Sequence, residues 1–134
     1  MNKYEIQDLF LNALNDEMLY EKYKNPKDLE IFVDKILEDA CSHYYSSRTV
    51  TLDRKTNTVK GISEPQEKTI LVRYMLASYM SFVVTDLSYF RVMIEDRNFK
   101  TSSTKQQLTN AIAIKELHRQ DAEAMARRYY YLND

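Results

Sequence analysis

The chain has 134 residues, 44% of them apolar and 12% aromatic, which suits one globular domain with a modest core and argues against intrinsic disorder. Nineteen Lys and Arg stand against 20 Asp and Glu, so the net charge of −1 points to no class of partner. A single glycine and two prolines exclude a many-stranded sandwich or barrel, a Gly-rich phosphate loop and a dinucleotide fingerprint; one cysteine excludes a disulfide framework or a multi-cysteine metal cluster.

The first residues mix Lys, Glu, Gln and Asp with apolar side chains, so no secretory leader is expected there. Ile6, Leu9, Phe10, Ala13, Leu14 and Met18 recur at helical steps and predict a first helix over residues 3–24. Asn25 as cap and Pro26 in the first turn open a second helix over 26–46, whose buried stripe is Leu29, Phe32, Val33, Ile36, Leu37, Ala40 and Tyr44.

Residues 48–62 change character. Thr49-Val50-Thr51-Leu52 and Thr58-Val59-Lys60-Gly61-Ile62 are β-branched and alternating, and the polar stretch Asp53 to Asn57 between them predicts a hairpin with a loop of about five residues. A two-stranded hairpin is marginal alone, so it must pack on the helices or be ordered by a neighbouring molecule.

Ser63-Glu64-Pro65-Gln66 reads as a capping box opening a third helix over 64–96. Its polar stripe is narrow (Arg73, Ser81, Thr85, Ser88, Arg91 and Glu95), which predicts a central helix touching several neighbours. Eighteen residues of Ile70 to Ile94 are apolar, but the uncharged run Tyr74 to Thr85 is only 12 long. A bilayer crossing takes about 20, so no membrane partner is expected. After a loop at 97–102, Ser103-Thr104-Lys105-Gln106 reads as a second capping box for a helix over 104–132, about 42 Å long. Its core face is predicted as Leu108, Ala111, Ile112, Ala122, Met125, Ala126 and Tyr129. A second apolar line, Ile114 with Leu117 and Ala124, would face elsewhere. A helix of this length outruns its shorter neighbours, so part of it should project or meet another chain. The predicted fold is therefore mainly α: a single domain like a four-helix bundle, with a β-hairpin inserted between helices 2 and 3 and a long C-terminal helix.

Charge is unevenly spread. Residues 1–46 carry −5, 47–62 carry +3, 63–96 carry −2 and 97–134 carry +3. Solvated helix faces vary this way without purpose, but opposite signs on opposite sides also favour head-to-tail packing of identical copies. Arg48, Arg54, Lys55 and Lys60 on the hairpin offer a further reading, contact with nucleic-acid phosphates.

Few residues point to chemistry. Cys41 and His43 are the only adjacent soft ligands and His118 the only other histidine; Cys41 reads as a packing residue and the histidines as boundary residues, so no metal or other cofactor is expected. Asp86 falls inside an apolar helix and reads as one member of a buried ion pair or as a subunit contact, without a second carboxylate spaced for acid–base work. No nucleophile set can be assembled, so an enzyme is not expected and no catalytic residue is assigned. Tyr129-Tyr130-Tyr131 point three ways around a helix and cannot share one core. With Arg127 and Arg128 they read as interaction residues, Tyr130 and Arg128 serving association more than folding.

The order of two short helices, a hairpin and two long helices ending in a basic, tyrosine-rich tail resembles the helical adaptor (head–tail connector) proteins of tailed bacteriophages. Pro65 to Leu76 for the central helix and Ala122 to Tyr131 for the terminal one carry that likeness; the long last helix departs from a compact adaptor. The resemblance implies a non-enzymatic homo-oligomeric ring in the virion neck, made in the host cytoplasm, with portal or tail proteins as partners and DNA passing nearby. The alternative is a small regulatory protein binding nucleic acid or a polymerase subunit.

Overall fold

The computed structural model describes residues 1–14, 19, 23–46, 48–95 and 101–133, with 86–95, 101–105, 132 and 133 described as backbone alone. Among these residues the elements run α1 (Lys3–Leu14), α2 (Pro26–His43), β1 (Thr51–Asp53), β2 (Thr58–Lys60), α3 (Pro65–Glu95) and α4 (Thr101–Asn133). The fold is mainly helical, with the hairpin between α2 and α3 and the longest helix last, as predicted.

α1 buries Lys3, Ile6, Gln7 and Phe10, while Leu9 and Ala13 of the expected face are exposed. The helix is turned because a buried carboxylate draws two polar residues inward. Lys3 is only 2% exposed, and its Nζ lies 3.1 Å from both oxygens of Asp34 and 3.1 Å from Glu30 Oε1. Gln7 Nε2 donates to Asp34 Oδ1 at 2.7 Å. Burial pulls the Lys3 pKa down, but the two carboxylates outweigh it and hold the ammonium above its ordinary value. The predicted extension of this helix to residue 24, Met18 included, lies mostly outside the described residues. Leu19 is buried there and accepts the Tyr23 N–H at 3.0 Å.

α2 starts as predicted, with Asn25 Oδ1 accepting the Lys27 N–H at 2.9 Å and Pro26 in the first turn. It ends at His43, three residues before 46, because Tyr44 turns to an extended ψ of 121°. Val33, Ile36, Leu37 and Ala40 are buried along the predicted stripe.

β1 and β2 pair Thr51 with Lys60, Leu52 with Val59 and Asp53 with Thr58. The turn is therefore 54–57, four residues, with Asn57 at a positive φ of 55°. The hairpin does not wait for another molecule. Val50, Val59 and Ile62 belong to the main core, and the outer edge of β2 is covered by the start of the chain: Val59 N–H donates to Met1 O at 2.7 Å and Lys3 N–H to Asn57 O at 3.0 Å. Of the two alternatives for a marginal hairpin, packing on the rest of the chain is the one observed. The chain's one glycine makes it possible. Gly61 sits at φ +99°, where a Cβ would lie 2.3 Å from the Thr49 carbonyl oxygen.

α3 is central, packing against α1, α2 and α4. Its start is set one residue later than the sequence implies: Glu67, rather than Gln66, turns back to accept the N–H groups of Ser63 at 3.1 Å and Glu64 at 3.0 Å. Ser88, Arg91 and Glu95 of the predicted polar stripe fall where side chains are not described; Arg73 is exposed, as expected.

α4 runs antiparallel to α3 and packs chiefly on it. It already begins at Thr101, so Ser103 to Gln106 lie inside the helix and do not cap it, and residues 97–100 of the predicted loop lie outside the described ones. Ala111, Ala122, Ala126 and Tyr130 are its buried residues. Ile112 of the predicted core face is 45% exposed, and Tyr130, in place of Tyr129, is buried in the core.

Gly61→Ala should lower stability by about 1–3 kcal/mol, from a left-handed φ together with a backbone clash. Thermal denaturation followed by circular dichroism checks this; an unchanged midpoint would contradict the docked geometry.

Candidate interaction surfaces

The end of α2, the segment leading into β1, the start of α3 and the end of α4 meet at one corner. The Tyr130 hydroxyl donates to Glu67 Oε2 at 2.7 Å. Because a phenol has one proton, the 2.7 Å contact between Tyr44 and Tyr130 must be donated by Tyr44. Burial, first of all, pushes the Tyr44 phenol well above its ordinary value and the Tyr130 phenol up to about 12. Burial also pushes the Glu67 carboxyl up, but the Tyr130 hydroxyl, two backbone N–H groups and the charge of Arg48 outweigh it and hold it below the usual glutamate value. The corner therefore contains one buried carboxylate fully supplied with donors.

Outside this latch lies a basic, aromatic shell. Tyr45 is half exposed, its N–H donates to the Tyr74 hydroxyl at 3.3 Å, and the Arg127 guanidinium stands 5.7 Å from its ring centroid. Arg48 and Arg128 are exposed. Tyr131, four residues from Arg127 and so on the same side of α4, is 88% exposed.

The second surface is the outer side of α4. Ile114 is 44% and Leu117 56% exposed, and Ala124 is exposed beyond them. This is the second apolar line read from the sequence, and no other element of the described chain shields it.

The predicted interaction residues thus separate into groups. Arg48, Arg127, Arg128 and Tyr131 share the corner or its rim. Arg54 pairs with Glu38 at 2.7 Å and Lys60 with Asp53 at 3.1 Å, so these two bases serve the chain's own charges, while Lys55 is exposed on the turn. Tyr129 is half-buried against the core. Tyr130 is a core residue, which corrects its reading as an association residue: the latch uses it for folding. Part of the charge asymmetry is likewise met internally, where Arg54 of the basic hairpin pairs with Glu38 of the acidic first segment.

Cys41 is buried, and burial raises its thiol to about 12, so it packs and stays protonated. His43 is exposed, 3.7 Å from Asp39. His118 is half-buried, and its Nδ1 has no hydrogen-bond partner among the described residues; burial, then Arg73, lowers its pKa. The Asp86 side chain lies outside the described residues. A cleft of about 290 Å³ opens between α2, α3 and α4, but Arg119 on its wall is held by Glu116 at 2.7 Å and Glu123 at 3.4 Å. Among the described residues no group of three His, Cys, Asp or Glu is placed to hold a metal, and no helix is long and apolar enough to cross a membrane.

Sequence reasoning missed the buried Lys3–Asp34 pair and the role of Glu67. The first left no signal, since a lysine beside a helix start reads as solvated. The second left one: Glu64 and Glu67 have capping-box spacing, one residue beyond the Ser63–Gln66 pair. No protein-family model, curated protein or solved structure matches this chain.

Tyr130→Phe should cost about 1–3 kcal/mol by stripping a donor from a buried carboxylate. An unfolded glutamate titrates near 4.5 and Glu67 in the folded chain lower, so its contribution is complete above that pH and is lost as pH falls through the folded value. Chemical denaturation of Glu67→Gln should therefore show lower stability at pH 7 and a shallower decline on acidification; a parallel decline would contradict the latch.

Proposed function

We propose that this chain is a non-enzymatic structural subunit that works in multiple copies, as an adaptor joining portal and tail in the neck of a tailed phage particle. The observation that carries the multi-copy reading is the outer side of α4, where Ile114, Leu117, Ala124 and Tyr131 meet solvent on a helix of about 50 Å. Soluble helices keep such stripes when another surface covers them. The phage assignment is supported by the layout of two short helices, a hairpin and two long helices, and by the mixed-sign surface suited to contacts between subunits.

Light scattering on the full chain, alone and with portal and tail proteins, tests this. The expected result is a mass of several copies or a complex with those proteins. Ile114→Glu with Leu117→Glu should return the protein to a monomer with unchanged thermal stability, both residues being exposed. A strict monomer that binds neither protein would overturn the proposal.

A second reading, binding of nucleic acid, is favoured by the corner, where Arg48, Arg127 and Arg128 adjoin exposed Tyr45 and Tyr131. Phosphates and stacked bases would suit that mixture. Mobility-shift titration should then show affinity that falls steeply with salt and is lost in Arg127→Glu with Arg128→Glu. No binding at low salt removes this reading.

A further inference from the structure

We infer that the outer seam of α4 pairs antiparallel with the same seam of a second copy, about a two-fold axis level with Ala122 and Glu123. This rests on the multi-copy reading and names the contact. With Tyr130 fixed inward, Ile114, Leu117, Asp121 and Arg128 fall on the far side of α4 and Ala124 and Tyr131 on its flank, and all six are exposed. They alternate in steps of three and four, the spacing of a helix seam that meets another helix. Four are apolar, and the two charged ones are of opposite sign.

That charge pattern decides the orientation. A parallel pair sets Asp121 against Asp121 and Arg128 against Arg128, placing like charges in contact at two levels. An antiparallel pair sets Ile114 against Tyr131 of the second copy, Leu117 against the aliphatic stem of Arg128, and Asp121 against the small Ala124. The guanidinium then lies one helical turn from the opposing Asp121, within reach of its long side chain. Every level acquires a compatible neighbour. Of the remaining exposed large hydrophobics, Tyr4, Leu9 and Ile31 sit on other helices, Tyr45 follows α2, and Ile112, five turns from Tyr130, is on the other side of α4 from this row.

The seam spans about 26 Å at 1.5 Å per residue. A helix pair of that length belongs with the smaller interfaces, below about 1,200 Å² in total, so micromolar association is expected from it alone. A two-fold contact closes on itself, so a ring built from such pairs needs a further, head-to-tail contact.

Disulfide trapping on the full chain tests the orientation. Ile114→Cys and Tyr131→Cys are made separately, and each is oxidised alone and after mixing. Both sites are exposed, and Cys41 is buried and protonated, so neither folding nor the native thiol interferes. The antiparallel pair predicts cross-links at least tenfold more abundant in the mixture than in either variant alone (a threshold of about 1.4 kcal/mol), since copies of one site lie about 26 Å apart along the axis. Asp121→Arg should reduce the yield, and Asp121→Arg with Arg128→Asp should restore it. Equal cross-linking of each variant with itself would overturn the antiparallel arrangement. No cross-link from a protein that scatters as an oligomer would overturn this contact and leave the multi-copy reading standing; a strict monomer would overturn both.

Discussion

The hydrogen bond from Tyr130 to Glu67 sets the rotation of the last helix, and most of what this protein shows to solvent follows from it. Once that phenol is buried against α3, helical periodicity leaves no freedom for the rest of α4. Ala111, Ala122 and Ala126 turn inward with it, and Ile114, Leu117, Ala124 and Tyr131 turn outward. The carboxylate that receives the bond also caps α3 through Ser63 and Glu64, so a single side chain fixes the start of one long helix and the azimuth of the other. Tyr44 joins the end of α2 to the same point.

A second buried polar cluster does equivalent work at the opposite end of the chain. Asp34 accepts from Lys3 and Gln7, which turns α1 on α2, and the backbone flanking Lys3 closes the edge of the hairpin. Buried ion pairs of this kind contribute little net stability but are costly to break singly. Here they define an arrangement: with both clusters in place, the hairpin, α1 and α2 form a finished unit around α3, and α4 is attached along one side. The exposed apolar surface is thereby concentrated on α4.

Much of this was legible in the amino-acid order. The fold class, the four helices, the hairpin and the second apolar line of α4 all follow from periodicity, turn residues and β-branched runs, because those signals are local. What escaped was decided between distant segments. Tyr129 and Tyr130 are equivalent in any helical pattern until Glu67, 63 residues away from Tyr130, selects one of them. Ala111 and Ile112 both belong to the predicted core face, yet only Ala111 is buried, while Ile112 is 45% exposed. Lys3 is indistinguishable from a solvated lysine until Asp34 is folded against it. Of the basic residues singled out, Arg48 and Arg127 converge although 79 positions separate them, whereas Arg54 and Lys60 find partners nearby.

With both clusters in place, one functional claim remains to be tested, that the side of α4 opposite Tyr130 is a contact with another copy of the chain. Dilution of isotopically labelled protein from millimolar to micromolar concentration, followed by methyl and amide NMR, addresses that claim residue by residue. Concentration-dependent shifts confined to Ile114, Leu117, Ala124 and their helical neighbours are the predicted result. Shifts centred on Leu9 and Ile31, or none anywhere, would contradict it.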